Sequence, residues 1–250
     1  MKIRDATKSR AIPYLDKRTV VYMREFNEAD NSKFDSVSDE QIKVLADKYK
    51  DVRQPVFDIE PADQVPGYEM TMVWRQGDPD YIYQSSMLRA DILRRYNNAL
   101  PVENYFDSLA SFYGLSPTWE EWARVLVQRG YNDAWPHFKA QDKWQRNNQW
   151  LFKQLPVIYP SVYAGWQWCE DNEETRDILE MSMEQTERSI DYYHGNIARE
   201  YFVEVIPGEP EGALAWQLKY LQQYGHPVCI WAAPDVELTD RQHGAIEALI

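Results

Sequence analysis

The chain has 250 residues, of which 44% are hydrophobic and 14% aromatic, so it can bury a core and is not a disordered chain. No apolar run approaches the roughly 20 residues that span a bilayer, and the start MKIRDATKSR lacks the apolar region of a signal peptide. The net charge of -13 lies mainly in residues 165–212, which hold thirteen Asp or Glu against three Arg and disfavour direct binding of nucleic acid. We therefore expect a cytoplasmic protein, or a virion component if the source is viral, that does not bind membranes.

The first part, residues 1–80, is predicted to be an arm followed by a small α/β unit. Met1–Lys17 has no clear period, so we expect it to be ordered only by a partner. A helix begins after Ser38, because Gln41 completes a capping box and apolar residues follow at helical spacing. Its apolar stripe is Ile42, Leu45, Ala46 and Tyr49. Strands are expected at Thr19–Phe26, Val56–Glu60 and Tyr68–Trp74, and a turn at Gly77–Asp80.

The second part, residues 81–195, is predicted to be a helical bundle with an aromatic core, since five of the ten Trp lie within Ser116–Leu155. Helices are expected around Leu88–Tyr96, over Val102–Tyr113, from an N-cap at Ser116 to Gly130, from about Ala134 to Leu155, and over Glu173–Tyr193. Residues 156–169 are interpreted as an ordered, irregular crossover between the last two.

The third part, residues 196–250, reads as a β-α-β-α unit. Its elements are a strand at Glu200–Ile206, a helix at Pro210–Tyr224, a strand at Pro227–Ala232, and a helix capped by Thr239 and Gln242. A crossover of this length predicts two parallel strands. The fold class is therefore α+β, predominantly helical, in which the three parts form one continuous compact domain. The central bundle is flanked by short N-terminal strands and this C-terminal unit.

One row of carboxylates stands out on the helix at 173–193. Its members, which we call the acidic stripe, recur at spacings of four and three and are Glu173, Asp177, Glu180, Glu184, Glu187 and Asp191. The ordinary interpretation is a solvated helix face. Like charges at these spacings destabilise an isolated helix by about 0.2–0.5 kcal/mol per pair, so a continuous row also favours a basic partner.

A metal site is a second candidate on the same helix. Glu187, Asp191 and His194 could project from one face, and carboxylates with imidazole suit a divalent transition metal. Against it, Gly195 makes His194 look like an ordinary cation at a helix C-terminus.

The two cysteines, Cys169 and Cys229, are too few for a disulfide framework and are interpreted as reduced thiols.

The sequence contains no Gly-x-Ser-x-Gly elbow, Walker loop, Gly-x-Gly-x-x-Gly or Cys-x-x-Cys, so we expect neither a cofactor nor an enzyme. The leading hypothesis is a non-catalytic acidic interaction protein. It would act through a protein partner or self-assembly, as a structural or assembly component of a larger complex such as a bacteriophage virion. One alternative is an inhibitor of a host nucleic-acid-binding protein whose acidic helix imitates phosphates. The other is a metal-dependent hydrolase.

Overall fold

The computed structural model describes residues 1–7, 12–22, 37–58, 79–105, 108–112, 119–162, 172–205, 210, 212–232 and 236–250. The helices in these ranges are α1 (Asp39–Tyr49), α2 (Pro79–Ala99), α3 (Glu120–Arg129), α4 (Tyr131–Phe152), α5 (Glu173–His194), α6 (Ala213–Leu221) and α7 (Asp240–Glu247), with 3₁₀ turns at Val102–Asn104 and Gln222–Tyr224. The strands are β1 (Ile3–Asp5), β2 (Asp16–Lys17), β3 (Val20–Tyr22), β4 (Val56–Asp58), β5 (Ser111–Phe112), β6 (Val157–Ile158), β7 (Ala198–Arg199), β8 (Tyr201–Val205) and β9 (Val228–Ala232). The predicted class, α+β and predominantly helical, is confirmed.

The strands are short, and all strand pairings among the described residues are parallel. β1 lies between β2 and β9, and β9 also pairs with β8. β4 lies between β3 and β5, and β6 pairs with β7. Parallel neighbours need a crossover connection, which helices provide between most of these strands.

Two continuous runs of chain join these sheets into a ring. β2 and β3 form one run, residues 16–22, which pairs with β1 at its start and with β4 at its end. β7 and β8 form another, residues 198–205, which pairs with β6 first and with β9 afterwards. Between β5 and β6 the Ser111 hydroxyl donates a hydrogen bond to the Val157 carbonyl. In the part of the chain that the structure describes, seven runs therefore follow one another round the ring in chain order, which is the arrangement of a β/α barrel.

The side chains alternate between the inside and the outside of this ring. A buried cluster inside it takes one or two residues from six of the seven runs: Ala6, Val20, Val56, Val157, Tyr159, Phe202, Cys229 and Trp231. The neighbouring residues point outward and pack on helices. Phe57 and Ile158 meet α1, α2 and α4 in one outer core, while Val203 and Ile230 meet α5, α6 and α7 in another. The barrel is therefore filled by side chains and covered by helices.

The local helix signals agree with the structure where they depend on capping. Ser38 and Thr239 both form capping boxes with the predicted glutamines. The stripe of α1 is buried, α5 runs over the expected residues, and β8 and β9 are parallel as predicted. Of the expected strands, Tyr68–Trp74 lies outside the described residues, as do the turn before residue 79 and the crossover beyond Val162.

The helix predicted over Val102–Tyr113 is wrong in its described part. A single 3₁₀ turn occupies Val102–Asn104, and Ser111–Phe112 is β5. The apolar spacing was helical, but Ser111 and Phe112 pair with β4, so tertiary pairing overrides the local pattern.

The Trp-rich helices also begin elsewhere than predicted. The N-cap of α3 is Trp119, not Ser116, and α4 begins at Tyr131, not near Ala134. Gly130 separates the two helices with a φ of 87°, a left-handed conformation that glycine adopts readily, so the chain turns there sharply. Trp119 is buried and packs on Phe138 of α4, with ring centroids 4.9 Å apart.

The N-terminal arm was expected to need a partner for order, and this expectation is wrong for its described residues, 1–7 and 12–17. Ile3–Asp5 is β1, hydrogen-bonded between β2 and β9. The buried Asp5 carboxylate accepts hydrogen bonds from the backbone N–H of Thr7 at 2.8 Å and of Ile12 at 3.1 Å. The predicted boundaries at 80/81 and 195/196 remain predictions, although strands on either side of each are paired. Among the described helices, none is both long enough and apolar enough to cross a membrane.

Candidate active site

The carboxyl ends of the strands carry two acidic side chains on the inner face of the barrel. Asp58 is the last residue of β4 and stands two residues after Val56, which lies in the interior cluster. Glu204, near the end of β8, stands two residues after Phe202 in the same cluster. Because side chains of a strand alternate, both carboxylates face the inside of the ring. Both are half-buried, so neither is sealed in the core.

An aromatic side chain and a hydroxyl lie near these carboxylates. Trp231 of β9 is the direct cross-strand partner of Glu204 and packs on the interior cluster. Ser161 bridges to Phe202 from the segment after β6, and it is half-buried like Glu204 and Trp231. The carboxyl-end mouth of the barrel, defined by Asp58, Ser161, Glu204 and Trp231, thus combines two acids with an indole. In barrels of parallel strands the active site lies at this end.

The floor of the mouth is aromatic. The rings of Tyr159 and Phe202 meet edge to face with centroids 5.5 Å apart. Tyr159 is fully buried, and its hydroxyl has no hydrogen-bond partner among the described residues. Burial raises the pKa of Tyr159, so the phenol remains protonated and can donate a hydrogen bond within the barrel.

Beneath this floor a buried ion cluster joins three runs. Glu200 accepts hydrogen bonds from Arg18 Nη2 at 2.5 Å, from Arg18 Nε at 3.1 Å and from Arg4 Nε at 3.1 Å. The Cys229 thiol donates to the same carboxylate at 3.3 Å, and burial raises the pKa of Cys229 well above its ordinary value. Arg18 also donates to the carbonyls of Arg53 and Gln54, before β4. The cluster therefore ties the amino-end side of the barrel together, away from the mouth.

The acidic stripe of α5 divides into an exposed row and an internally neutralised end. Glu173, Asp177, Glu180 and Glu184 are exposed. Glu187 has a side chain only 14% exposed, lies 3.3 Å from Arg199 Nη1 and accepts a hydrogen bond from the Tyr201 hydroxyl. Asp191 is exposed but binds Arg199 Nη2 at 2.8 Å. The exposed row is thus shorter than the sequence predicts, because Arg199 forms ion pairs with the last two carboxylates, Glu187 and Asp191.

The predicted metal ligands are not brought together. Glu187 and Asp191 are turned to Arg199, whereas His194 packs its ring on Phe152 with centroids 4.0 Å apart. Burial lowers the pKa of His194 to about 4, so the imidazole is neutral near neutral pH. In the part of the chain that the structure describes, no group of three His, Cys, Asp or Glu side chains is placed to hold a metal ion.

Sequence reasoning missed both carboxylates of the mouth. Asp58 lies within a predicted strand, and Glu204 within another, but neither was singled out. The signal was a single acid inside a strand that is otherwise apolar on both faces, VFD in β4 and YFVEV in β8. A strand of that kind is buried on both sides, so an acid in it has to face a special environment.

A scan against models of known protein families found no match for this chain, and a search of curated proteins found no relative.

Proposed function

We propose that this protein is a hydrolase whose active site is the carboxyl-end mouth of the barrel, with Asp58 and Glu204 as its acid–base pair. The observation that supports the proposal most is their placement: both stand on the inner face at the ends of strands, in a ring of parallel strands. A fold alone does not specify a function, so the proposal rests on these side chains and not on the barrel.

The two carboxylates stand well apart round the ring. β4 and β8 are separated by two runs on one side, β5 and β6, and by three on the other. A bond held between them is approached by one carboxyl group from each side. General acid–base hydrolysis needs that arrangement, because one group protonates the leaving atom while the other activates water. Trp231 beside Glu204 provides an apolar surface that excludes water from one wall.

The test uses Asp58→Asn and Glu204→Gln, with Glu184→Gln as the control because Glu184 is an exposed acid remote from the mouth. Wild type and variants are assayed with nitrophenyl glycosides, esters and phosphates. We expect turnover of one class and a loss of about 10²- to 10⁴-fold in each mouth variant, with melting temperatures unchanged. Activity retained in both mouth variants, or no turnover of any class by the wild type, would refute the proposal.

A second candidate is the interaction protein expected from the sequence, which the exposed part of the stripe favours. Asp177, Glu180 and Glu184 lie exposed in one row on α5 and can meet a basic surface of a protein partner. The partner would be an assembly, such as a virion, or a host nucleic-acid-binding protein that the row inhibits. Glu187 is excluded from the row because it is mostly buried and paired with Arg199.

Charge reversal separates these possibilities. Asp177→Lys, Glu180→Lys and Glu184→Lys together should abolish a contact made by the row and leave the melting temperature nearly unchanged. Phosphate imitation predicts binding that weakens steeply with salt, whereas an assembly interface built on apolar groups, such as the exposed Ile250, tolerates salt. Affinity purification that yields no partner at low salt would remove this second candidate.

A further inference from the structure

The start of α4 presents a stack of aromatic rings to solvent. Tyr131 and Trp135 stack with ring centroids 5.6 Å apart and planes 24° apart, and Trp135 stacks on Phe138 at 5.3 Å and 11°. Tyr131 is 62% exposed and Trp135 40% exposed. We call Tyr131 and Trp135 the rim platform. Large exposed aromatics held in a fixed orientation are typical of binding surfaces, because little conformational freedom is lost when a ligand covers them.

The rim platform lies on the carboxyl-end side of the barrel. α4 ends at Phe152, just before β6 begins at Val157, so the end of α4 is on the amino-end side. Its 22 residues extend about 33 Å, which carries its start to the opposite side.

Contacts of α5 confirm this direction. Gln128, near the end of α3, donates a hydrogen bond to Glu174 at the start of α5 at 3.0 Å. The start of α5 follows β6 and its end precedes β7, so Glu174 marks the carboxyl-end side. At the other end of α5, Tyr193 donates to Asp142, which lies half-way along α4. The platform and the mouth therefore open on the same side of the molecule.

The charge near the platform indicates what it can bind. Charges of both signs surround it: Asp133 is exposed in the same turn, Glu174 accepts a hydrogen bond from nearby Gln128, and Lys139 Nζ lies 5.9 Å from the centroid of the Trp135 ring. Because neither sign dominates beside the rings, a charged polymer meets repulsion as well as attraction there. An uncharged sugar meets neither, and its C–H faces pack on aromatic rings while its hydroxyls bond to amides and carboxylates. Asn132 and Asp133, both exposed, supply those polar groups beside the rings.

We infer that the substrate is an uncharged carbohydrate chain, which Tyr131 and Trp135 hold at the rim while a glycosidic bond is cleaved between Asp58 and Glu204. The inference rests on the proposed hydrolase, and it specifies the substrate class. In the cleavage one carboxyl group protonates the glycosidic oxygen as the C–O bond breaks. The other removes a proton from the water that adds to the anomeric carbon, so one water is consumed per bond.

The experiment measures binding and cleavage separately on soluble neutral glycans, with hydroxyethylcellulose, a soluble starch, a mannan and chitin oligosaccharides as probes. Binding is followed by affinity electrophoresis and by Trp fluorescence, and cleavage by release of reducing ends. The test variant is Tyr131→Ala with Trp135→Ala. The control is Tyr192→Ala, because Tyr192 is 81% exposed but lies at the C-terminal end of α5, on the amino-end side of the barrel.

We expect at least one probe to be bound with little dependence on salt, and the double variant to bind it at least about tenfold more weakly, which corresponds to 1.4 kcal/mol. The Tyr192 control should bind like the wild type. Binding of no probe, or equal binding by the double variant, overturns the inference. Binding that weakens steeply with salt also overturns it, because the contact is then made between charges. A monomer–dimer change in the double variant overturns it as well, because the platform then holds a second copy of the chain.

The two proposals fail in different ways. If esters or phosphates are hydrolysed through Asp58 and Glu204 and no glycan is bound, the carbohydrate inference is refuted and the hydrolase proposal is kept. If glycans are bound through the rim platform but no glycoside, ester or phosphate is cleaved, the hydrolase proposal is refuted and the platform is a binding site only.

Discussion

Replacing Glu200 by Gln should destabilise the barrel severely. The substitution keeps the shape of the side chain but removes the one negative charge between two guanidinium groups. Arg18 has a side chain 3% exposed and Glu200 one that is 7% exposed, so neither charge is compensated by water. Breaking a buried pair by removing one partner costs about 3–5 kcal/mol. Against a typical free energy of unfolding of about 5–15 kcal/mol, the variant should lose a large fraction of its stability.

The assay is urea denaturation followed by Trp fluorescence and by circular dichroism, with Glu180→Gln as an exposed control. The control should stay within about 0.5 kcal/mol of the wild type. For a chain of this size, a loss of 3 kcal/mol lowers the melting temperature by about 6–12 °C. A loss below about 1 kcal/mol with an unchanged urea slope would contradict the description of Glu200 as the buried counter-ion of Arg18.

A triple variant separates lost charge from lost packing. Arg4→Met, Arg18→Met and Glu200→Leu together remove the whole cluster and leave apolar groups of similar volume. Such replacements are often neutral or stabilising where the single deletion is costly. We expect the triple variant to be more stable than Glu200→Gln. If it is less stable, the cluster acts mainly through the hydrogen bonds of Arg18 to the carbonyls before β4.

Two further predictions concern titratable groups. His194 has a pKa of about 4 in the folded chain and about 6.5 in the unfolded chain. The unfolded state therefore binds a proton more readily than the folded state. The contribution of the neutral His194 to stability is present above about pH 6.5 and is lost as the pH falls towards 4. The free energy of unfolding of the wild type should therefore decrease more over this range than that of His194→Gln, and equal decreases would show that the imidazole is not buried in its neutral form. In a Cys169→Ser background, Cys229 should react with a thiol reagent only as fast as the chain unfolds, because burial and the Glu200 carboxylate keep its thiol protonated. Fast labelling of the native protein would show that the barrel interior is open.

The sequence predicted the elements whose signals are local. Capping boxes at Ser38 and Thr239 and the period of α5 depend only on residues close in the chain, and the structure agrees with them. The ring was not predictable in the same way. Its strands are two to five residues long, and most of them are buried on both faces and show no alternation, while β1 and β9 pair although they lie at opposite ends of the given sequence.

The candidate site shows the same limit. Asp58 and Glu204 lie almost 150 residues apart, and only the closure of the ring gives them a common interior. The acidic stripe was found readily because it repeats along one helix. Its last members, however, turned out to be balanced by Arg199, a residue that belongs to a different element. Sequence periodicity predicts rows of side chains on one helix or strand. A site formed by several elements can be predicted only when the topology that brings them together is known.

The pairing of β1 with β9, in which Ile3 stands opposite Val228, has a consequence for synthesis of the chain on the ribosome. The N-terminal strand emerges early but finds one of its two neighbours only after β9 has been made. Until then both edges of an incomplete sheet are open, and such edges pair readily with other chains. The nascent chain thus stays prone to aggregation until β9 has been made. A circular permutant that joins residue 250 to residue 1 and opens the chain at an exposed turn would shorten that delay, because β9 and β1 would then be made in succession.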